Sequence, residues 1–178
     1  MTRTHFGILA LALALGAAPV LQAQHPQPTE GVSYGLGAGL ILPTGDYGTA
    51  DKMGWHVMGL IQLPIAQSPI HLRFDGMYGM TSNKSPATGS TKLAGATADL
   101  LYHLGERASS IRPYILGGLG FFHVGDGTSQ SKVAFGLGGG ILFGMGSMHA
   151  FLEGRYMSIQ TSGSSATFLP ITLGLMLR

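Results

Sequence analysis

Apolar residues recur at every second position through eight stretches of this chain. Tyr34-Gly35-Leu36-Gly37-Ala38-Gly39-Leu40-Ile41-Leu42 is one, and Val133-Ala134-Phe135-Gly136-Leu137-Gly138-Gly139-Gly140-Ile141 is another. A period of two is that of a strand with one oily face. The pattern predicts strands over Ser33–Leu42, Trp55–Leu63, Ile70–Met80, Lys92–His103, Pro113–Val124, Lys132–Phe143, Met148–Ile159 and Thr167–Arg178. Each is about 9–12 residues long, the length a tilted strand needs to cross hydrocarbon. The connectors alternate in kind. Pro43–Gly54, Thr81–Thr91, Gly125–Ser131 and Gln160–Ala166 are polar loops, and Pro64–Pro69, Leu104–Arg112 and Gly144–Ser147 are mostly tighter. Longer loops at one end and turns at the other fit an outer-membrane barrel with both termini in the periplasm.

Within strand interiors no charge falls on the oily face. The oily parity holds Tyr34, Leu36, Ala38, Leu40 and Leu42 in the first strand, Trp55, Val57, Gly59, Ile61 and Leu63 in the second, and Ile70, Leu72, Phe74, Gly76, Tyr78 and Met80 in the third. It continues through Ala150, Leu152, Gly154, Tyr156 and Ser158 in the seventh and Leu169, Ile171, Leu173, Leu175 and Leu177 in the eighth. Arg73, Asp75, Asp99, Glu153 and Arg155 take the opposite parity, and Gln62, His71, His103, His123 and His149 are placed with them. A charge on the lipid face near mid-bilayer costs up to about 2–4 kcal/mol, so lipid demands this segregation. A soluble sandwich or lipocalin-like barrel would turn its polar face to water. This chain has too few charged residues, at 10%, to cover such an outside. Its polar parity is instead crowded with Gly35, Gly37, Gly39, Gly136, Gly138 and Gly140, which suits a narrow interior. The predicted fold is therefore an all-β, eight-stranded antiparallel up-and-down transmembrane β-barrel. Tyr34, Trp55, Tyr78, Tyr102, Tyr114, Phe122, Phe143 and Phe168 fall near strand ends, where interfacial girdles form.

The N-terminus reads as an export signal. Arg3 and His5 form a polar start, Phe6 to Ala18 an apolar core, and Leu21-Gln22-Ala23 a small-residue cleavage site. The run is shorter than the roughly 18 apolar residues a membrane helix needs. The expected organisation is a signal peptide over residues 1–23, a short lead-in over 24–31 and one barrel over 32–178. The formal net charge of +2 falls to +1 without Arg3, which gives no basic patch for nucleic acid. With no cysteine, disulfides and a thiol nucleophile are excluded, and no lipoprotein anchor is expected.

The chain resembles the OmpA/OmpX-like β-barrel domain of small outer-membrane proteins from Gram-negative bacteria. The likeness covers about residues 31–178. It is carried by the glycine-alternating first strand running into Leu42-Pro43-Thr44-Gly45-Asp46-Tyr47, by Arg112-Pro113-Tyr114-Ile115-Leu116-Gly117-Gly118-Leu119-Gly120, and by the closing strand. It implies residence in the bacterial outer membrane, contact with its lipid and lipopolysaccharide, and recognition of the last strand by the barrel-assembly machinery. Relatives usually end on an outward aromatic. This chain ends Leu173-Gly174-Leu175-Met176-Leu177-Arg178, with the alternation kept and no final aromatic.

Candidate chemistry is confined to the inward parity. Arg73, Asp75, Asp99, Glu153 and Arg155 read as an interior charge network, with Arg73 expected beside Asp99 on the neighbouring strand. An eight-stranded interior is just wide enough for side chains to fill, so mutually satisfied charges make a plug rather than a gate. Leu60, Met58, Leu101, Phe121 and Phe151 are expected to add bulk inside. His71, His103 and His149 would lie near the periplasmic end, with His149 several strands away, and no metal or other cofactor is expected. Ser158, His149 and Glu153 could form a hydrolytic triad only if Ser158 faced inward, against its parity. Asp46, Asp51 and Asp126 lack calcium-loop spacing. The expected function is a structural or surface-interaction protein, monomeric and closed. A narrow pore is the alternative, and a lipid-modifying enzyme the second alternative.

Overall fold

In the computed structural model, which describes residues 31–66, 68–106, 109–125, 131–161 and 164–177, the chain forms one closed barrel. Its strands are β1 (Ser33–Thr44), β2 (Gly54–Pro64), β3 (Ile70–Ser82), β4 (Ser90–His103), β5 (Ile111–Val124), β6 (Lys132–Met145), β7 (Met148–Thr161) and β8 (Ser164–Leu177). Each pairs antiparallel with the next, and β8 closes on β1 from Tyr34↔Leu177 to Thr44↔Thr167. The all-β up-and-down prediction holds, and strand ends move by at most a few residues. The boundary between the expected leader and the rest of the chain lies outside the described residues, as do Asp126 and Arg178.

The alternation sets the two faces as expected in β1, β2, β3 and β8. Leu36, Leu137 and Leu173 are 74%, 69% and 65% exposed on the outside. With no water in hydrocarbon, a closed barrel is the strand arrangement that leaves no edge unpaired. Inside, bulk replaces solvent. Ile41, Leu93, Phe122, Ala134, Met157, Ile159 and Phe168 fill the loop-side half, and Met58, Leu60, Leu101, Tyr114, Leu116, Leu142, Phe151 and Met176 the turn-side half.

Three aromatics depart from the expected girdle. Tyr34, Trp55, Tyr78, Tyr102 and Phe143 do face outward, whereas Tyr114, Phe122 and Phe168 are buried within the barrel. In exchange Phe121, expected inside, is 62% exposed. His123 also faces outward, where Ser131 is bonded to it. Pattern failed in β5 because Ile115-Leu116 and Phe121-Phe122 put apolar residues on both parities. The register of its neighbours, not hydropathy, decides which face is inside.

A short helix interrupts the first loop. Helix α1 (Gly45–Ala50) starts after Gly45 turns at φ +56° and lays Tyr47 into the loop-side mouth. The Tyr47 ring meets Phe168 edge-on at 6.4 Å, and Phe168 meets Phe122 at 6.2 Å. Tyr47 Oη lies 2.7 Å from Thr81 Oγ1, which donates to Asp51 at 2.9 Å. Six residues are too few to hold a helix alone. This burial holds it, and no local sequence signal announces it.

Candidate functional site

The charged side chains that the strand pattern sends inward meet near the barrel axis. Arg73 and Asp75 leave β3, Asp99 leaves β4, and Glu153 and Arg155 leave β7. All five are at most 7% exposed. Side chains two apart on a strand share a face, so Arg73 Nε reaches Asp75 Oδ1 at 2.6 Å and Arg155 Nε reaches Glu153 Oε1 at 2.6 Å. Across the lumen, Arg73 makes a two-pronged contact to Glu153 at 2.7 and 3.0 Å. Arg155 donates to Asp99 at 3.0 Å and to Asp75. The fork of a guanidinium matches a carboxylate in this way, giving charge-assisted bonds with fixed geometry.

Neutral groups complete the set. Tyr114 Oη donates to Glu153 Oε2 at 2.7 Å, and Thr97 Oγ1 donates to Asp99 at 2.8 Å. Glu153 thus accepts two bonds from Arg73, one from Arg155 and one from Tyr114. The Arg73 guanidinium carbon also sits 5.8 Å from the centre of the Phe151 ring. Glycines make the room. A Cβ at Gly118 would run into the Ala98 carbonyl and the Asp99 carboxylate, and one at Gly140 would come within 2.6 Å of Tyr114 Cζ.

The expected Arg73–Asp99 contact is not formed. The two residues are register partners across β3 and β4, yet their side chains go elsewhere, Arg73 to Asp75 and Glu153 and Asp99 to Arg155 and Thr97. Partners across the lumen win because in a narrow barrel the long arginine side chains of β3 and β7 reach the carboxylates of the opposite wall. Tyr114 and Thr97 had no charge to mark them. Their inward parity was the only available signal, and for Tyr114 the girdle reading masked it.

The same narrowness gathers the histidines. His71, His103 and His149 line one cavity of about 10 Å³ with Gln62 and Arg112, although His149 is several strands away in sequence order. The His71 and His103 rings are 4.6 Å apart, and Gln62 Nε2 lies 3.3 Å from His103 Nε2. Among the described residues no His, Asp or Glu group is arranged to hold a metal ion. A second cavity of about 20 Å³ lies between the charges and Met58, Met77 and Met157. Each is about the size of a single water. Ser158 is buried rather than lipid-exposed, and accepts a bond from Gln160. It does not meet His149, which lies nine residues away on β7, roughly 30 Å at a strand's rise. In the first loop Asp46 is exposed, while Asp51 is buried against Thr81.

The family described as outer membrane protein beta-barrel domain matches residues 8–178. Neisserial surface protein A is 17% identical, with a TM-score of 0.66 over 83% of this chain and 97% of that one. The outer membrane enzyme PagL is 14% identical, with a TM-score of 0.53 over 82% and 98%. Ail, the attachment invasion locus protein of Yersinia pestis, is 15% identical, with a TM-score of 0.53 over 83% and 99%. At such identities the likeness is one of fold. No curated protein matches the chain.

Proposed function

This chain belongs to the outer membrane protein beta-barrel domain family and resides in the bacterial outer membrane, and on that premise we propose that it is a sealed barrel with a structural or surface-interaction role. One observation carries the reading: the lumen is blocked by the paired Arg73, Asp75, Asp99, Glu153 and Arg155, between two apolar clusters. The two cavities on either side of these charges are each about water-sized, too small to join into a continuous wet path. Tyr47 and Phe168 close the loop-side mouth above them.

A protein that passes nothing through its lumen works on its surfaces. Two proteins of this fold are named for such roles, a neisserial surface protein and an attachment invasion locus protein. PagL is named as an enzyme, but the Ser158, His149 and Glu153 set that could have carried hydrolysis here is dispersed along β7. The chain acts without catalysis, as a monomer in contact with outer-membrane lipid and lipopolysaccharide. It is exported by its N-terminal signal into a Gram-negative envelope. The barrel-assembly machinery reads β8 through its outward Ile171, Leu173, Leu175 and Leu177, all exposed.

Planar-bilayer recording from the refolded protein tests the sealed lumen. No steady conductance is expected. Steady single-channel currents from the unmutated protein would replace this reading with that of a narrow pore.

A further inference from the structure

All four lysines of the chain, Lys52, Lys84, Lys92 and Lys132, sit at the loop end of the barrel. None follows a turn at the other end. Two of them are turned away from the lipid face. Lys84 Nζ bonds the Gly48 carbonyl of α1, and Lys132 takes the inward parity of β6. Lys92 differs. It is exposed on β4 with the outward parity of Ala94, Ala96 and Ala98, so its ammonium stands on the lipid side.

Two further polar groups share that face. On β5, His123 is exposed beside outward Phe121, and it is the register partner of Ala94. On the approach to β6, Ser131 lies one register step beyond Phe122↔Lys132, and its Oγ is 3.0 Å from His123 Nδ1. Lys92, His123 and Ser131 thus stand on three adjacent strand ends, with the small Ala94 leaving space between the first two. Toward mid-membrane the surface turns wholly apolar: Phe121 is 62% exposed, Leu119 63%, Val133 49% and Phe135 45%. Of the described loop-end acids, Asp46 belongs to α1 and Asp51 is buried against Thr81, both in the β1–β2 connection.

We propose that Lys92, His123 and Ser131 seat the phosphate of a membrane lipid whose acyl chains lie on Phe121, Leu119, Val133 and Phe135. This rests on the outer-membrane lipid contact proposed above and assigns it a place. Donors at the top of an apolar sheet face suit an amphiphile whose anionic head ends where its hydrocarbon begins. The ammonium supplies charge and the imidazole Nε2–H an oriented bond, with the Ser131 hydroxyl donating to Nδ1 and so holding the ring in that tautomer. A free phosphate would use the donors and leave the apolar face idle.

The test is native mass spectrometry of the refolded barrel, released from micelles doped with either dioleoyl phosphatidic acid, a phosphate monoester, or dioleoyl phosphatidylcholine. Circular dichroism confirms that each variant is folded. The wild type is expected to retain phosphatidic acid over phosphatidylcholine. Lys92→Gln should cut retention about fivefold, the loss expected for one lysine at a membrane surface. His123→Gln should lower it further in combination, and Lys52→Gln should leave it unchanged. Phosphatidic acid held equally by the Lys92→Gln/His123→Gln variant overturns this seat and leaves lipid contact elsewhere on the barrel intact. No preference for phosphatidic acid in the wild type overturns the seat, and failure of the wild type to insert into phosphatidylcholine liposomes overturns the membrane reading beneath it. Displacement by millimolar inorganic phosphate overturns the lipid in favour of a free anion.

Discussion

Strand β7 carries two kinds of chemistry one residue apart. Leu152 and Tyr156 face lipid, while Glu153 and Arg155 face the lumen. On the outside each side chain meets the same solvent, hydrocarbon, and satisfies it alone. On the inside no residue is satisfied alone, because Glu153 needs Arg73, Arg155 and Tyr114 together. The lipid face should therefore respond to mutation as a sum of independent sites. The lumen should respond as a unit.

The largest effect should come from breaking the unit. The five charges carry a net −1, two arginines against three carboxylates. Glu153→Ala removes the acceptor of four bonds and leaves two buried guanidiniums short of partners. It should cost about 3–5 kcal/mol in urea unfolding from detergent or liposomes, the usual loss when one partner leaves a buried pair. A cost below 1 kcal/mol would mean that water already reaches the network. On the outside, Leu173→Arg or Phe135→Arg should cost about 2–4 kcal/mol near mid-bilayer. Variants that fold as readily as the parent would reverse the two faces.

Coupling sharpens the contrast. Arg73→Ala combined with Glu153→Ala should cost less than the two single changes together, with an interaction of about 0.5–3 kcal/mol. Leu173→Ala with Phe135→Ala, two strands apart, should add to within about 0.5 kcal/mol. Equal coupling on both faces would erase the distinction. Between these lies Gly138→Leu, expected to cost about 1–3 kcal/mol by overpacking, since its Cβ would meet the Gly154 carbonyl and Arg155.

This contrast also explains what could be read from sequence. Hydrocarbon imposes one rule at every outward position of a strand interior, so alternation alone placed Leu36, Phe74 and Leu173 on the outside. The same alternation selected Arg73, Asp75, Asp99, Glu153 and Arg155 as inward, because the lipid face rejects charge. It did not pair them. Pairing depends on how near β3 comes to β7 across the lumen, which is set by strand number and tilt and not by any local pattern. Tyr114 and Phe122 were placed outside because an aromatic near a strand end fits a girdle as well as a lumen. Helix α1 had no signal of its own, since it exists only where Tyr47 finds Phe168 and Thr81.

Tyr47 offers the smallest and most local probe of where the collective interior stops. Burial is the main cause that lifts its phenol, and the nearby Asp51 charge adds to it, while the bond with Thr81 opposes them. The pKa is pushed up to about 12 from an ordinary value of 10. A raised pKa on an acid means that the fold holds the neutral hydroxyl form. Its contribution is then complete below pH 10 and is lost as pH rises through about 12. Spectroscopic titration of tyrosinate should show a late-ionising step near pH 12 in the wild type that is missing from Tyr47→Phe. Proteolysis of the first loop should accelerate across the same alkaline window in the wild type, and much less in the variant. If the loop opens while the barrel still resists urea, the cap is a separate unit resting on the lumen. If loop and barrel give way together above pH 10, the interior's cooperative unit extends through Phe168 to the helix, and the comparison of faces must count α1 as part of the inside.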